Sequence, residues 1–241
     1  MSNNYGPRIV TDGLVLCLDA ADKNSFPGSG TTWKDLSGNS YNCSTQGNAV
    51  FLGSSAVLDA SAGTYLRGSI AANSLNSNEF SIAAWFNRDT EKTWDAIFSN
   101  NCSSTGWDNN IKLAPLMTFQ GVTGNKTQIG FNQAGVASTG IYVDLGSDHY
   151  GKWIYCVITK TGTSISVYAY KEGTLISNSG TYTTAINFYD NYLIGRHWYN
   201  SGNDTIQIFD GKIQSVSYYN IALSPDQIRS NYEATKGRFG L

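Results

Sequence analysis

The sequence is poor in charged residues, and this scarcity excludes several classes of partner. Only 14% of the 241 residues are Asp, Glu, Lys or Arg, against about 25% in an average soluble domain. The net charge is −2, and no run of Lys or Arg occurs in the chain. Binding to nucleic acid or to an anionic membrane surface depends on such basic runs. We therefore expect neither partner, and a surface built from Ser, Thr, Asn and Gly.

Long apolar segments and closely spaced cysteines are also missing. No stretch approaches the ~20 apolar residues of a membrane-spanning helix, and Met1–Gly13 lacks the pattern of a secretory signal. An even number of cysteines would allow disulfides, but no C-x-x-C pair occurs and two of the cysteines lie in apolar strand patterns. Without a secretory signal, all four are predicted to be reduced. They are Cys17, Cys43, Cys102 and Cys156.

The short motifs of common catalytic sites do not occur either. The chain has no G-x-S-x-G, H-E-x-x-H or P-loop pattern. Its two histidines are His149 and His197, and His149 is expected in a surface loop just before a strand. A zinc site on this pair would need further ligands that the spacing does not supply. We predict no bound cofactor.

What the sequence does contain is a series of short strand-like segments between clusters of Gly, Asn, Asp and Ser, which is typical of a sandwich or barrel. Phe80–Asn87 alternates so that Phe80 and Phe86 share one face and Trp85 lies on the other. Trp153–Lys160 is apolar on both faces, which predicts a central strand covered from two sides. The segment Ser164–Tyr170 alternates strictly and follows it after a hairpin-sized link.

The C-terminal third predicts further strands and one short helix. Tyr192–Gly195 and Thr205–Phe209 read as a strand pair across a polar loop. Ile213–Tyr219 does not alternate cleanly, which predicts either a β-bulge or strong local curvature. A helix should follow, with Ser224 as N-cap, Pro225 at its first position, Gln227 completing a capping box and Gly237 as the stop.

Several motifs together resemble those of a known family. Ile9–Asn42 is similar to the opening of the laminin G-like, concanavalin A-like lectin/glucanase domains of tailed-phage virion proteins. In that group a Leu-Asp-Ala strand end leads through a Pro-Gly-Ser-Gly turn to Trp-x-Asp-Leu-Ser-Gly-Asn. The matching segments here are Leu18–Ala20, Pro27–Gly30, Trp33–Asn39, the strand FSIAAWF at 80–86 and the strand-plus-helix ending at 209–239.

The resemblance implies an all-β fold, a two-sheet antiparallel jelly-roll sandwich with one short C-terminal helix. Since no composition break divides the chain, we predict one domain over residues 9–241 after an N-terminal arm at 1–8. One segment departs from the family pattern. Relatives carry Phe-Asp-Gly, an acidic pair and Tyr, where this chain has Leu58–Tyr65. The Gly that follows Asp in the family motif is missing here, and so are both later acids. Any role of those acids is therefore not carried over.

Some proteins of this fold are glycoside hydrolases, which need two carboxylates across a cleft. No predicted strand places two acids on one face, and the acids fall singly in turns, at Asp59, Asp89, Asp144, Asp190 and Asp210. We therefore predict that the chain is not an enzyme, and glycoside hydrolysis is the least favoured alternative.

Calcium and sugar are the remaining ligand candidates. Calcium prefers six to eight oxygen ligands, and Asp108 and Asp204 lie in loops rich in Asp and Asn, where turn geometry is the competing explanation. Sugars are held by an aromatic face together with amides and carboxylates. Two loops combine these groups, and packing against the sandwich edge or a neighbouring subunit is the alternative for both. The candidate sugar-binding residues are Trp107, Asp108, Asn110, His197, Trp198 and Tyr199.

The resemblance implies a non-enzymatic structural protein of the virion, as a decoration, head-fibre or tail-fibre component made in the host cytoplasm. Its expected partners are other virion proteins, further copies of itself in a homo-oligomer, and polysaccharide on the host surface. The alternative is a dedicated carbohydrate-binding lectin module used for host adsorption.

Overall fold

A computed structural model describes residues 8–92, 95–102, 115–119, 127–133, 140–183, 186, 188–197 and 208–241. The described residues form sixteen strands and one α-helix, α1, at Pro225–Thr235. In chain order the strands are β1 Leu14–Asp19, β2 Thr32–Trp33, β3 Cys43–Gln46, β4 Val50–Leu52, β5 Ser55–Leu58, β6 Tyr65–Ser69, β7 Glu79–Arg88, β8 Ala96–Cys102, β9 Pro115–Phe119, β10 Gln128–Gln133, β11 Ile141–Asp144, β12 Trp153–Thr161, β13 Ser164–Lys171, β14 Thr174–Thr181, β15 Asn191–Ile194 and β16 Gly211–Tyr219. The described helices are too short to span a bilayer.

The strands form two antiparallel sheets of eight strands each. The first sheet has the order β14-β13-β12-β7-β16-β5-β4, and β1 also pairs with β16. The second sheet has the order β11-β10-β9-β8-β15-β6-β3-β2. A single hydrophobic cluster joins buried side chains of both sheets, as in a sandwich whose inner faces interdigitate. The predicted two-sheet sandwich with one short C-terminal helix is confirmed.

Strand β7 shows how the sequence determines the two faces of the first sheet. Phe80, Ile82 and Phe86 point into the cluster between the sheets. Trp85 belongs to a second cluster on the outer face, where its ring lies 5.7 Å from that of Tyr232 in α1. The strand is therefore apolar on both faces because one face packs on the second sheet and the other packs on the helix.

The same division confirms the prediction for β12. Ile154 and Ile158 lie in the cluster between the sheets, whereas Tyr155 and Val157 lie in the cluster under the helix. This strand pairs with β7 on one side and with β13 on the other, so it is central in the sheet and covered from two sides.

The helix begins as predicted and ends differently. The side-chain oxygen of Ser224 accepts a hydrogen bond from the Gln227 N–H, and the Gln227 side chain accepts one from the Ser224 N–H, which completes the capping box. The predicted stop at Gly237 is wrong. The α-helix ends at Thr235, a 3-10 turn continues through Gly237 to Phe239, and the residue with left-handed backbone is Gly240. The extra turn brings the Phe239 ring to 4.3 Å from Trp85.

A bulge in β16 explains its imperfect alternation. The register against β7 shifts between Ile213 and Ser215. Residues before the shift pair with β5 and residues after it pair with β1, so one strand serves two partners. Of the two predicted explanations, the bulge is the one observed.

The Trp-x-Asp-Leu-Ser-Gly-Asn segment has a structural role. The Asp35 carboxylate accepts hydrogen bonds from the backbone N–H groups of Cys17, Ser37 and Tyr41, and Trp33 is fully buried. These contacts tie the segment to β1, which accounts for the residue types of the motif without a ligand.

The predictions for three cysteines and one histidine have definite outcomes. Cys17, Cys43 and Cys156 are free and buried, as predicted, and burial raises the pKa of the Cys17 thiol to about 12. The side chain of Cys102 lies outside the described residues. The prediction that His149 lies in a surface loop is wrong, because its side chain is fully buried against Phe119.

The predicted strand pair near the C-terminus is observed in reduced form. Tyr192–Gly195 corresponds to β15, and the antiparallel partner is a single bridge between Arg196 and Ile208. The first residues of the predicted partner strand, 205–207, lie outside the described residues.

Candidate functional site

Most of the sugar and calcium candidates lie outside the described residues. This group comprises Trp107, Asp108, Asn110, Trp198, Tyr199 and Asp204. His197 is described and is half-buried. The two candidate loops can nevertheless be located from the strands that flank them.

The pairing register separates the two loops. Cys102, the last described residue before the Trp107 segment, pairs with Asn191 at the start of β15. His197 lies beyond the opposite end of β15, which stops at Ile194. The two segments are thus attached at opposite ends of the sandwich.

An open pocket of about 430 Å³ lies at the Asn191 end. The connection between β6 and β7 forms one wall, and the connection between β14 and β15 forms the other. The lining residues are Ala72, Leu75, Ser77, Ile186, Phe188 and Tyr189. We call this cavity the rim pocket.

The apolar wall of the rim pocket is continuous with the core. Phe188 is half-buried and packs edge-on against Phe80 and Tyr218, with ring centroids 5.8 and 6.0 Å away. Ile186 is buried, and Tyr189 is half-buried. The lining therefore includes the aromatic residues Phe188 and Tyr189, and Phe188 connects it to the core.

A buried amide fixes the backbone beside Tyr189. The Asn100 side chain donates to the carbonyl oxygens of Tyr189 and Asn191 at 2.8 and 3.0 Å, and it accepts from the Tyr189 N–H at 2.8 Å. Asn100 is only 1% exposed, and a desolvated amide with three hydrogen bonds is a strong positional restraint. The Tyr189–Asn191 segment is consequently held in one conformation.

Polar groups follow the aromatic wall. One carboxylate oxygen of Asp190 accepts from the Ala72 N–H at 3.1 Å, and the Asp190 carbonyl accepts from the Ile70 N–H at 2.9 Å. The side-chain oxygen of Asn191 accepts from the Ser69 hydroxyl at 3.2 Å. The second carboxylate oxygen of Asp190 has no hydrogen-bond partner among the described residues, and the side chain is exposed. An exposed carboxylate that is hydrogen-bonded to one lining residue, Ala72, thus directly follows another, Tyr189, in the chain.

A buried lysine is hydrogen-bonded to the backbone of one lining residue of the pocket. The Lys160 ammonium donates to the Ser77 carbonyl at 2.8 Å and also to the Gly162 carbonyl. Lys160 is 5% exposed, and burial lowers its pKa. Its charge is directed at backbone carbonyls and not at the pocket.

The opposite end of the sandwich holds a buried charged cluster. The Arg88 guanidinium donates to both oxygens of Asp95, at 2.9 and 2.6 Å, and both side chains are fully buried. Arg88 also lies 3.7 Å above the ring of Phe119, against which His149 stacks. Burial raises the pKa of Asp95 to about 7, against the lowering effect of Arg88. Because both charged side chains are fully buried and hydrogen-bonded to each other, we interpret the cluster as structural.

Metal ligands do not converge in the part of the chain that the structure describes. No group of three His, Cys, Asp or Glu side chains there could hold an ion. The calcium candidates Asp108 and Asp204 lie outside these residues and stay predictions.

The rim pocket carries the features needed for a sugar. An aromatic ring can stack on the apolar face of a sugar, and a fixed carboxylate and amide can bond its hydroxyls. Sequence reasoning identified Asp190 only as a turn residue. The run Phe188–Asn191, two aromatic residues followed by Asp and Asn between strands, was the available signal. Nothing local shows that residues 71–78 face it.

Comparison with known proteins gives a family and a fold. The profile of the Concanavalin A-like lectin/glucanases superfamily matches residues 60–229. No curated protein matches the chain.

Solved structures share the architecture at low identity. Domain 4 of AbnA, a GH43 extracellular arabinanase from Geobacillus stearothermophilus, in complex with arabinotriose, is 18% identical with a TM-score of 0.60, covering 92% of this chain and 98% of that one. The receptor binding domain of botulinum neurotoxin mosaic serotype C/D is 15% identical with a TM-score of 0.65, covering 94% and 52%. Trypanosoma rangeli sialidase in complex with sialic acid is 15% identical with a TM-score of 0.61, covering 94% and 33%. The chain spans about half of the neurotoxin domain and a third of the sialidase.

Proposed function

Because the chain belongs to the Concanavalin A-like lectin/glucanases superfamily, we propose that it is a non-enzymatic glycan-binding module and that the rim pocket is its binding site. The observation that carries this proposal is a pocket lined by the half-buried Tyr189 and tied through Ala72 to the exposed carboxylate of Asp190, on a segment fixed by Asn100. The arabinanase domain that shares the fold was solved with arabinotriose, which supports an oligosaccharide as ligand.

The absence of catalysis is part of the proposal. Glycoside hydrolysis requires two carboxyl groups about 5–10 Å apart on either side of the scissile bond. The lining of the rim pocket includes no carboxylate, and Asp190 at its edge is the one acid hydrogen-bonded to the lining among the described residues. A single acceptor suits binding better than bond cleavage.

We further propose that the chain is a structural component of a tailed-phage virion, displayed as a decoration, head-fibre or tail-fibre protein. The support is the resemblance of the motifs at 18–39 and 209–239 to virion domains. Other virion proteins and further copies of the chain would be its partners. Locating the chain in a density map of intact particles tests this role, and a particle that lacks it would refute the role while leaving glycan binding untouched.

Replacing Tyr189 tests the site. We expect Tyr189→Ala to weaken oligosaccharide binding about fivefold, because one aromatic stacking contact contributes roughly 0.5–1.5 kcal/mol. Calorimetry with arabinotriose and with a panel of host-type oligosaccharides measures the change. Tyr168→Ala is the matched control, since Tyr168 is also half-buried but lies on the helix-covered face of the first sheet. Equal loss in both variants, or no loss in either, would contradict the proposed site.

A further inference from the structure

The charged side chains around the rim pocket determine which ligand charge the pocket favours. Asp190 presents a carboxylate oxygen at the pocket edge, fixed through its other oxygen by the Ala72 N–H. Glu79, the first residue of β7, is exposed at the same end of the sandwich. This end therefore exposes negative charge.

No compensating cation reaches the lining in the described part of the chain. The ammonium that bonds the lining is that of Lys160, and it is 5% exposed and donates to the Ser77 and Gly162 carbonyls. Arg67 lies two residues before Ser69, opposite Leu193 in the second sheet, and is not part of the pocket wall. A ligand carboxylate placed here would meet the like charge of Asp190, with no cationic side chain of the described residues in the lining to pair with it.

From this arrangement we propose that the rim pocket selects uncharged sugars and rejects sugars that carry a carboxylate, such as sialic acid or a uronic acid. This inference rests on the proposed glycan-binding function and specifies its substrate class. Neutral hydroxyls can donate to the free oxygen of Asp190, which an ionised carboxylate cannot do. Like charges in contact also disfavour the wrong partner.

Matched pairs of glycans test the selection. We would print neutral oligosaccharides beside counterparts that differ only by a terminal sialic acid or by a uronic acid, and titrate the strongest pair by calorimetry. The neutral member should bind about tenfold more tightly than its anionic counterpart at low salt, as expected for two unit charges close together at a protein surface. The ratio should shrink at about 1 M salt, where the screening length falls to about 3 Å.

Two variants locate the effect. Asp190→Asn keeps the acceptor for the Ala72 N–H and removes the charge, so the preference for neutral glycans should fall to within about twofold of unity. Asp226→Asn is the control, because Asp226 is 91% exposed on α1 and is not one of the residues that line the pocket. It should retain the full preference.

The outcomes separate the two proposals. Equal or tighter binding of the anionic members would overturn the charge selection and leave glycan binding intact. A preference that Asp190→Asn does not change would also overturn it, because the charge would then act from elsewhere. Binding of no saccharide would overturn both.

Discussion

His149 shows how the environment of one side chain sets its chemistry. Its Nδ1 lies 2.6 Å from the Gly146 carbonyl and therefore donates, which leaves Nε2 as the acceptor. Nε2 is buried without a hydrogen-bond partner among the described residues. Burial lowers the pKa of His149, and the nearby Arg88 lowers it further. The folded protein thus keeps this imidazole neutral.

A measurable pH dependence follows for His149. An unfolded histidine titrates near 6.5, so the neutral imidazole contributes stability that is complete above that pH and is lost as pH falls towards the lower folded pKa. Between about pH 8 and pH 5, the free energy of unfolding should drop more in the wild type than in His149→Gln. Urea denaturation at both pH values measures this.

The comparison with the variant is needed because a second group titrates in the same range. The raised pKa of Asp95, about 7, means that the folded state binds a proton there before the unfolded state does. Its contribution therefore grows as pH falls from about 7 towards about 4, opposite in sign to that of His149. Asp95 is present in both the wild type and His149→Gln, so its contribution cancels when the two pH profiles are compared. Identical pH profiles would show that His149 is not a buried neutral group.

At the scale of elements, the strand register distinguishes the two tryptophan loops. The Trp107 segment leaves β8 beside Asn191, at the end of the rim pocket, whereas the Trp198 segment follows His197 at the other end. We therefore expect Trp107→Ala to weaken glycan binding severalfold and Trp198→Ala to leave it unchanged. Binding measured on both variants by calorimetry checks this, and the reverse order would move the site to the other end of the sandwich.

Elements whose signals are local could be predicted from the sequence. The capping box at Ser224 needs only neighbouring residues, and the two-sided apolar pattern of β12 requires that both faces be covered. The prediction that the helix stops at Gly237 was wrong. A 3-10 turn follows the α-helix, and in it Phe239 packs on Trp85, a contact between residues distant in sequence. The prediction of a surface position for His149 was wrong because its side chain is buried against Phe119, which is distant in sequence.

The rim pocket belongs to the same non-local class. One wall comes from residues 72–77 and the other from Ile186, Phe188 and Tyr189. The two walls meet because β15 pairs with β6. A sequence pattern can identify an aromatic run beside Asp190, but it cannot show which connection faces it. Membership of the family indicates the fold, and the fold brings these two connections together.

At the scale of the whole molecule, the sandwich has two ends with different properties. One end has an open pocket with the exposed carboxylate of Asp190 at its edge, and the other holds the fully buried Arg88–Asp95 pair. Replacing one member of such a buried pair is costly, because the other charge loses its partner. Among the described residues at the pocket end, the acids Glu79 and Asp190 are exposed and do not form such a pair. Replacing these exposed side chains should therefore disturb the fold less than replacing a member of the buried pair.

Backbone amide shifts of the labelled chain, titrated with a neutral oligosaccharide that it binds, test the account most directly. Saturable shifts should cluster at residues 70–78 and 186–191, the two walls of the rim pocket and its polar edge. Shifts that cluster around Arg196 and Ile208 at the other end, or on the helix-covered face of the first sheet, would contradict the account.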